Sequence, residues 1–334
     1  MTTSYRLSSA VLGASALLLS NVVAASDCDR ACLTQTLNQY LSAVVMHDAS
    51  KAPLAANFRS TENAREVKVG EGTWQSVKAL GEVQRRYADP TSHQVGYFGI
   101  VQEEIGPAIV SLRLKVVDRK VTEAEWILGR KGMALYNPEG LIANPPPATP
   151  ASAANRTSRK TLIDAANSYF TGIQEGDGKI VKAHPSCYRV ENGTWMLGTI
   201  PERPLPVKAA EPEPAPPVAT ENGQPPRPKF GNGITEPRSA NQACNSGFER
   251  LGARNNGGGG VINRRFFADE EAGIGWGTVI FSRAEGARDS RGQPVKWLYL
   301  TEVFRVEQGK IRGLFAAMDY LPPEIKTSGW AEGR

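Results

Sequence analysis

The chain has 334 residues, 40% hydrophobic and 22% charged, with a formal net charge of +5 and a sequence pI near 9.0. That length accommodates two ordinary domains, each with a core of its own. Basic residues are interspersed with acidic ones instead of gathered on one periodic face, which argues against a nucleic-acid partner and leaves at most a weak affinity for anionic surfaces.

The amino terminus carries Arg6, an apolar run over 11–19, and Ala24 and Ala25 before Ser26, the layout of a secretory signal peptide over 1–25. The run is far shorter than the roughly 20 residues that span a bilayer, and no later stretch approaches it. The mature chain is therefore expected to be soluble, without a membrane span, and secreted or periplasmic. In an oxidising compartment the four cysteines point to disulfides ahead of metal ligation. Cys28 with Cys32 and Cys187 with Cys244 is the expected pairing, one of three connectivities. Loop-entropy arithmetic assigns about 4 kcal/mol to the larger loop and about 2 kcal/mol to the smaller.

Leu33, Leu37, Tyr40, Leu41, Val44 and Val45 recur at helical spacing and predict an amphipathic helix. Asp48 follows in a polar break, where a carboxylate caps the next turn. Strands rich in β-branched and aromatic residues are predicted over 96–101, 108–117 and 121–128, the last two joined by a tight turn at Asp118, Arg119 and Lys120. After a Pro- and Ala-rich linker over 144–157, the same order returns. Leu162, Ala166, Tyr169, Phe170 and Ile173 mark a helix, Asp177 a cap, and 276–281, 297–306 and 311–318 strands, with a turn from Glu307 to Lys310. Residues 201–238 hold nearly half of the chain's 23 prolines and read as an irregular insertion in the second copy. The Gly257 to Gly260 run lacks the Lys and Ser/Thr of a phosphate cradle.

The two copies align in three blocks of the same order, the signature of duplication. Residues 33–63 fall on 162–192 without a gap, placing Tyr40 on Tyr169, Asp48 on Asp177, Glu62 on Glu191 and Asn63 on Asn192. Arg85, Arg86 and Tyr87 fall on Arg264, Arg265 and Phe266, and Gly96 and Tyr97 on Gly275 and Trp276 at the same shift. Val116, Lys120 and Val121 fall on Val306, Lys310 and Ile311. The domains are expected at 26–143 and 158–323, with a tail over 324–334.

A helix, a capping Asp, a strand bearing Glu-Asn, and long strands ending in a Val-x-x-Gly-Lys-Ile hairpin resemble the nuclear transport factor 2-like superfamily, its SnoaL-like members foremost. The residues around Glu62-Asn63 and His184-Pro185 are similar to a secreted branch with tandem copies. The resemblance implies an α+β fold of two tandem cone-shaped units, each with N-terminal helices packed in a curved antiparallel sheet and an apolar pocket at its open end. It also implies sheet-to-sheet packing of the copies as a pseudo-dimer within one monomeric chain. Superfamily members include ketosteroid isomerases, scytalone dehydratase, limonene epoxide hydrolase and polyketide cyclases, alongside non-catalytic binders. Two functions are thus compatible: a protein binding a small hydrophobic or aromatic molecule, as a cofactor-free lyase, dehydratase or isomerase, or a non-catalytic module with filled pockets.

For acid-base chemistry the candidates are Glu191 and His184 as base and Tyr169 as donor, with Tyr40, Glu62, His93 and Trp276 as ligand-binding residues. Each has a plainer reading. The two tyrosines suit core positions with satisfied hydroxyls. Glu62 and Glu191 suit solvent exposure or ion pairs with Arg85 and Arg264. His184, aligned with Ala55, is specific to one copy, yet a lone His beside Pro185 suits an exposed or structural place. Asp89 and Asp269 suit turns or caps. His47, His93 and His184 are far apart and form no ligand motif, so neither metal nor cofactor is expected, and no serine nucleophile motif occurs. Asn155 and Asn192 stand in glycosylation sequons.

Overall fold

The computed structural model describes Met1 and residues 28–197, 260–283, 286–289, 292–325 and 327–331. The expected signal peptide over 1–25, the Pro-rich insertion over 201–238, and Cys244 lie outside the described residues.

Helix α1 (Arg30–Val45) is capped by Asp29, whose carboxylate accepts the Cys32 N–H at 2.8 Å, and it buries Leu33, Leu37, Tyr40, Leu41 and Val44. The Cys28–Cys32 disulfide closes over this first turn. Cys187 is also disulfide-bonded. Asp48 then caps a 3-10 turn, accepting the Ser50 N–H at 3.1 Å. Strands β1 (Leu54–Glu62) and β2 (Arg65–Glu66), a short helix α2 (Thr73–Ser76), and the long strands β3 (Val77–Asp89), β4 (Gln94–Glu103), β5 (Gly106–Val117) and β6 (Lys120–Gly129) complete the first unit. Helix α3 (Pro138–Ala143) leads into the linker.

The second unit repeats this. Helix α4 (Arg159–Glu175) starts at Ser158 and ends at Gly176, whose left-handed backbone (φ 70°) suits a residue without a Cβ. Asp177 caps the following 3-10 turn through the Lys179 N–H at 2.9 Å. Strands β7 (Ala183–Glu191), β8 (Thr194–Leu197), β9 (Val261–Asp269), β10 (Ile274–Ser282), β11 (Trp297–Glu307) and β12 (Lys310–Leu321) follow.

Each unit is a six-stranded sheet, ordered β2-β1-β6-β5-β4-β3 and β8-β7-β12-β11-β10-β9. The expected all-antiparallel sheet is corrected to a mixed one, because β1 runs parallel to β6 and β7 parallel to β12. The cause is connectivity. The first strand of each unit is not joined to the last by a hairpin, so the returning meander is free to finish in the same direction. The β5–β6 and β11–β12 hairpins close on two-residue turns with positive φ at both positions, Asp118 and Arg119 in one and Gln308 and Gly309 in the other, the backbone that matches strand twist.

One face of each sheet packs on its own helix. The opposite faces pack on one another, with Val83, Tyr87, Phe98 and Ile109 against Phe267, Trp276, Val303 and Phe315. Strand β4 is therefore buried along nearly its whole length and loses the alternation of a half-exposed strand. Tail residue Trp330 docks as well, donating its indole N–H to Thr61 Oγ1 at 2.9 Å beneath the Arg59 guanidinium, 4.4 Å from the ring centroid.

Two polar devices join the units across this seam. Asp89 and Asp269 are buried and cross over: Asp269 accepts the Ala88 N–H at 2.9 Å, and Asp89 accepts the Ala268 N–H at 3.1 Å. Each also holds an arginine from the start of the other unit's helix, Asp269 with Arg30 and Asp89 with Arg159, the latter at 2.9 Å. Glu125 is the second device, bound by Arg113 of its own sheet at 2.7 Å and by Arg265 of the other at 2.6 Å, with the Tyr299 hydroxyl donating to it.

The crossed aspartates correct the repeat alignment. Asp89 pairs with Gln94 and Asp269 with Ile274 at the ends of equivalent hairpins, so the middle block is offset by one more residue than the ungapped match. Tyr97 corresponds to Gly277 and Gly96 to Trp276. A one-residue slip reverses every side chain in a strand, which is why Tyr97 faces α1 whereas Trp276 faces the seam. Gly96 is small for that reason: a Cβ there would lie 2.8 Å from the Trp276 and Phe267 rings.

The Glu-Asn pair also has a structural role. Asn63 and Asn192 adopt positive φ, and their amides bridge the backbone N–H and C=O of Leu128 and Met318 respectively. Asn192 is fully buried, so the folded unit has no room for a glycan on its sequon. Replacing Asn192 by Ala leaves both Met318 groups unpaired and is expected to cost about 1–3 kcal/mol, measurable as a lowered urea midpoint at unchanged slope.

Candidate functional site

Tyr169 on α4, Arg189 and Glu191 on β7, and Glu302 on β11 converge inside the second unit. The helix presents Tyr169 on its buried face, and alternation along β7 and β11 turns Arg189, Glu191 and Glu302 to the same interior side. Arg189 donates through Nη1 to the Tyr169 hydroxyl at 3.3 Å, and its Nε lies 3.0 Å from Glu191 Oε1. Tyr169 hydrogen-bonds the Glu302 carboxyl, whose Oε2 has no partner among the described residues. Burial, joined by the neighbouring Glu191, pushes the Glu302 carboxyl well above the usual carboxylate range, against the pull of Arg189. Burial likewise raises the Tyr169 hydroxyl well above its ordinary value, with Glu302 adding to the effect. The cluster sits among aromatic rings, with Phe170 and Phe304 each 5.5 Å from Tyr169 in edge-on contact.

The first unit provides an internal comparison. At the places of Arg189, Glu302 and Ala316 it carries Ser60, Leu112 and Trp126, all buried. Tyr40, the partner of Tyr169, is fully buried, accepts the Trp126 indole N–H at 3.4 Å and packs on Trp74 at 5.3 Å. Burial raises its hydroxyl far above the ordinary value. Tyr40 thus stands in the core of the first unit with its hydroxyl partnered.

The remaining candidates disperse. His184 is partly exposed at the start of β7, where its Nδ1 accepts the Ser186 N–H at 3.1 Å. Its pKa is lowered, by partial burial first and then by Arg312, and Arg312, Glu307 and Lys310 surround it, not Tyr169. His184 and Tyr169 are therefore not brought together. Glu62 ends β1, and its carboxylate accepts the Thr73 N–H to cap α2; burial raises it above the usual range against that hydrogen bond. Glu191 pairs with Arg189 and not, as expected, with Arg264, which bonds Asn167 and Gln174 on α4. His93 shapes the β3–β4 turn with positive φ, its carbonyl accepting the Val116 N–H. Trp276 belongs to the seam.

Glu62 does line a cleft of about 560 Å³ between the units, with Arg65, Arg130, Asp289 and Asp319 around it. This cleft is charged, in contrast to the apolar pocket expected. Among the described residues no group of three or more His, Cys, Asp or Glu side chains can hold a metal ion, and no helix is long and apolar enough to cross a membrane.

The signal that exposes Arg189 and Glu302 in the sequence is the repeat itself. A charge stands where the other copy has Ser60 or Leu112, and in β11 Glu302 interrupts the apolar parity of Leu298, Leu300, Phe304 and Val306.

Comparison with known proteins places the second unit against a family model described as a domain of unknown function (DUF8021), which matches residues 155–318. No curated protein matches the sequence. Among solved structures the chain is similar to a nuclear transport factor 2-like protein of unknown function from Cytophaga hutchinsonii, at 11% identity and a TM-score of 0.25 over 29% of this chain and 89% of that one. It is similar to a protein from Sphaerobacter thermophilus at 19% identity, with a TM-score of 0.23 over 29% and 96%. A candidate polyketide cyclase from Silicibacter sp. TM1040 matches at 12% identity and a TM-score of 0.27, over 49% of this chain and 92% of that one.

Proposed function

We propose that this is an exported small-molecule-binding protein whose second unit is the working copy, with Tyr169, Arg189 and Glu302 as its polar centre and the first unit as a filled brace. One observation carries the reading. The same scaffold is built in the first unit with Ser60 and Leu112 in place of Arg189 and Glu302, so the fold does not require a buried charged cluster. A buried ionisable group kept at a cost to stability is the pattern of a functional site. Aromatic walls around few polar groups suit a small hydrophobic or aromatic ligand. The Cys28–Cys32 bond supports the oxidising compartment that export reaches.

A buried carboxyl whose pKa is raised holds its proton more readily than an exposed one and suits a proton donor. Glu302 would protonate a ligand carbonyl or hydroxyl while Tyr169 and Arg189 orient it, and Glu191 beside Arg189 completes a two-carboxyl arrangement suited to cofactor-free lyase, dehydratase or isomerase chemistry. The non-catalytic reading is favoured for the first unit alone, where Tyr40, Trp74 and Trp126 occupy the equivalent space.

The test installs the first unit's residues in the second. Arg189→Ser with Glu302→Leu leaves Glu191, 16% exposed, without its arginine and is expected to cost stability, by up to about 3–5 kcal/mol. The same variant should lose the thermal shift given by a panel of hydrophobic metabolites and any ligand retained in native mass spectrometry. Ligand shifts that survive the double substitution, or their absence from the wild type, would defeat the proposal.

A further inference from the structure

We infer that a second site, separate from the interior cluster, takes a small oxyanion at the seam between the units. A pocket of about 250 Å³ is lined by Arg30, Arg85, Arg86 and Tyr87 of the first unit, by linker residues 147–150, and by Ile274 of the second. No carboxylate among the described residues lines it. Arg30 is neutralised by Asp269 and Glu271. The other two arginines meet only neutral acceptors among the described residues. Arg85 donates to the Pro146 and Gln84 carbonyls at 2.5 and 3.1 Å, and Arg86 donates to Asn38 Oδ1 and Gln84 Oε1 at 2.6 and 3.1 Å.

Two half-buried guanidiniums without a counter-charge hold a positive potential that an anion would offset, and the guanidinium fork matches the oxygens of a carboxylate or phosphate. Tyr87 adds a hydroxyl that is buried and has no hydrogen-bond partner among the described residues. The volume lies below the roughly 300–1,000 Å³ of drug-sized sites, so it suits an ion of phosphate size or a short carboxylate. The site occurs once: in the corrected register Phe266 and Phe267 stand where Arg86 and Tyr87 do. Because the linker forms one wall, and its Thr149 carbonyl accepts from Arg305 at 3.1 Å, the occupant would tie both units together.

Thermal unfolding of the full chain would be followed while inorganic phosphate, acetate or succinate replaces chloride at matched ionic strength. A saturable rise in Tm of about 2–4 °C over chloride is expected with at least one oxyanion. Phosphate against the two carboxylates tells which oxygen geometry is preferred. Arg86→Gln, and Arg85→Gln with Arg86→Gln, should weaken the response about tenfold or more, whereas Arg264→Gln, outside the pocket, should keep it. Far-UV circular dichroism checks that the variants fold. If the double variant does not fold, Arg86→Gln alone and the wild-type broadening of the phosphate phosphorus resonance decide the matter. A response equal to that of chloride, or one unchanged in the arginine variants, overturns the proposal.

Discussion

Replacing Glu125 by Gln is expected to destabilise the chain by about 3–5 kcal/mol, because it leaves Arg265 buried at the seam without a counter-charge and Arg113 with Glu123 alone, 2.8 Å away. Both guanidiniums are nearly inaccessible, at 7% and 8% side-chain exposure. Burial alone would raise the Glu125 carboxyl, but Arg265 and Arg113 prevail and bring it from 4.5 to about 2. A carboxylate depressed in the folded state stabilises above its unfolded pKa and loses that contribution as pH falls through its folded one. The wild type should therefore lose stability between about pH 4.5 and pH 2, in the direction that the Glu125 shift sets. Glu125→Gln should flatten that limb in urea titrations taken at successive pH values. A variant with the same acid limb as the wild type would show that Glu125 contributes nothing across the seam. Combining Glu125→Gln with Arg265→Met should recover part of the loss, since one stranded charge is removed with its partner.

Asp269→Asn should cost about 3–5 kcal/mol, a scale comparable to that of breaking a buried ion pair. Its carboxylate accepts the Ala88 and Ala272 N–H groups, each at 2.9 Å, and pairs with Arg30. An amide turns one acceptor into a donor facing those donors. Asp89→Asn should behave alike, through Ala268, Ser92 and Arg159. Because the two groups reach across to adjacent backbone, the double variant should lose less than the sum of the single losses. The midpoint and slope of urea unfolding test this, and strict additivity would mean that the two latches act independently. Stability should fall in a single transition while the units remain coupled. Separation into two transitions in either variant would show that these latches make the halves unfold together.

How much of this could be read beforehand depends on whether the deciding interactions are local. Both long helices, the caps at Asp48 and Asp177, and the closing hairpins follow from spacing and turn chemistry within a few residues. The duplication was visible because gapless blocks keep their periodicity. Asp89 and Asp269 were expected in turns, and they do accept turn N–H groups from Ser92 and Ala272. Their other bonds join residues 70 to 239 positions apart, which no local pattern marks. In the candidate site, Tyr169 and Glu191 were named from the repeat, whereas Arg189 and Glu302 emerged only when the two interiors were compared position by position. His184 stands out in the sequence for its chemistry and for having Ala55 as its counterpart, and it lies partly exposed at the start of β7.

The amino-acid sequence by itself determined the helices, the tight turns, the doubled unit and the Cys28–Cys32 closure, because each rests on backbone preferences and side-chain spacing over short stretches. Only the tertiary structure decided the parallel pairing of β1 with β6, the register that sets Gly96 against Trp276, the crossed aspartates, and the burial of Glu302 beside Arg189 and Tyr169. The physical reason is that strands buried on both faces carry apolar residues at every position. Their alternation then no longer says which side chain faces the helix and which the seam, and packing between distant segments makes the choice.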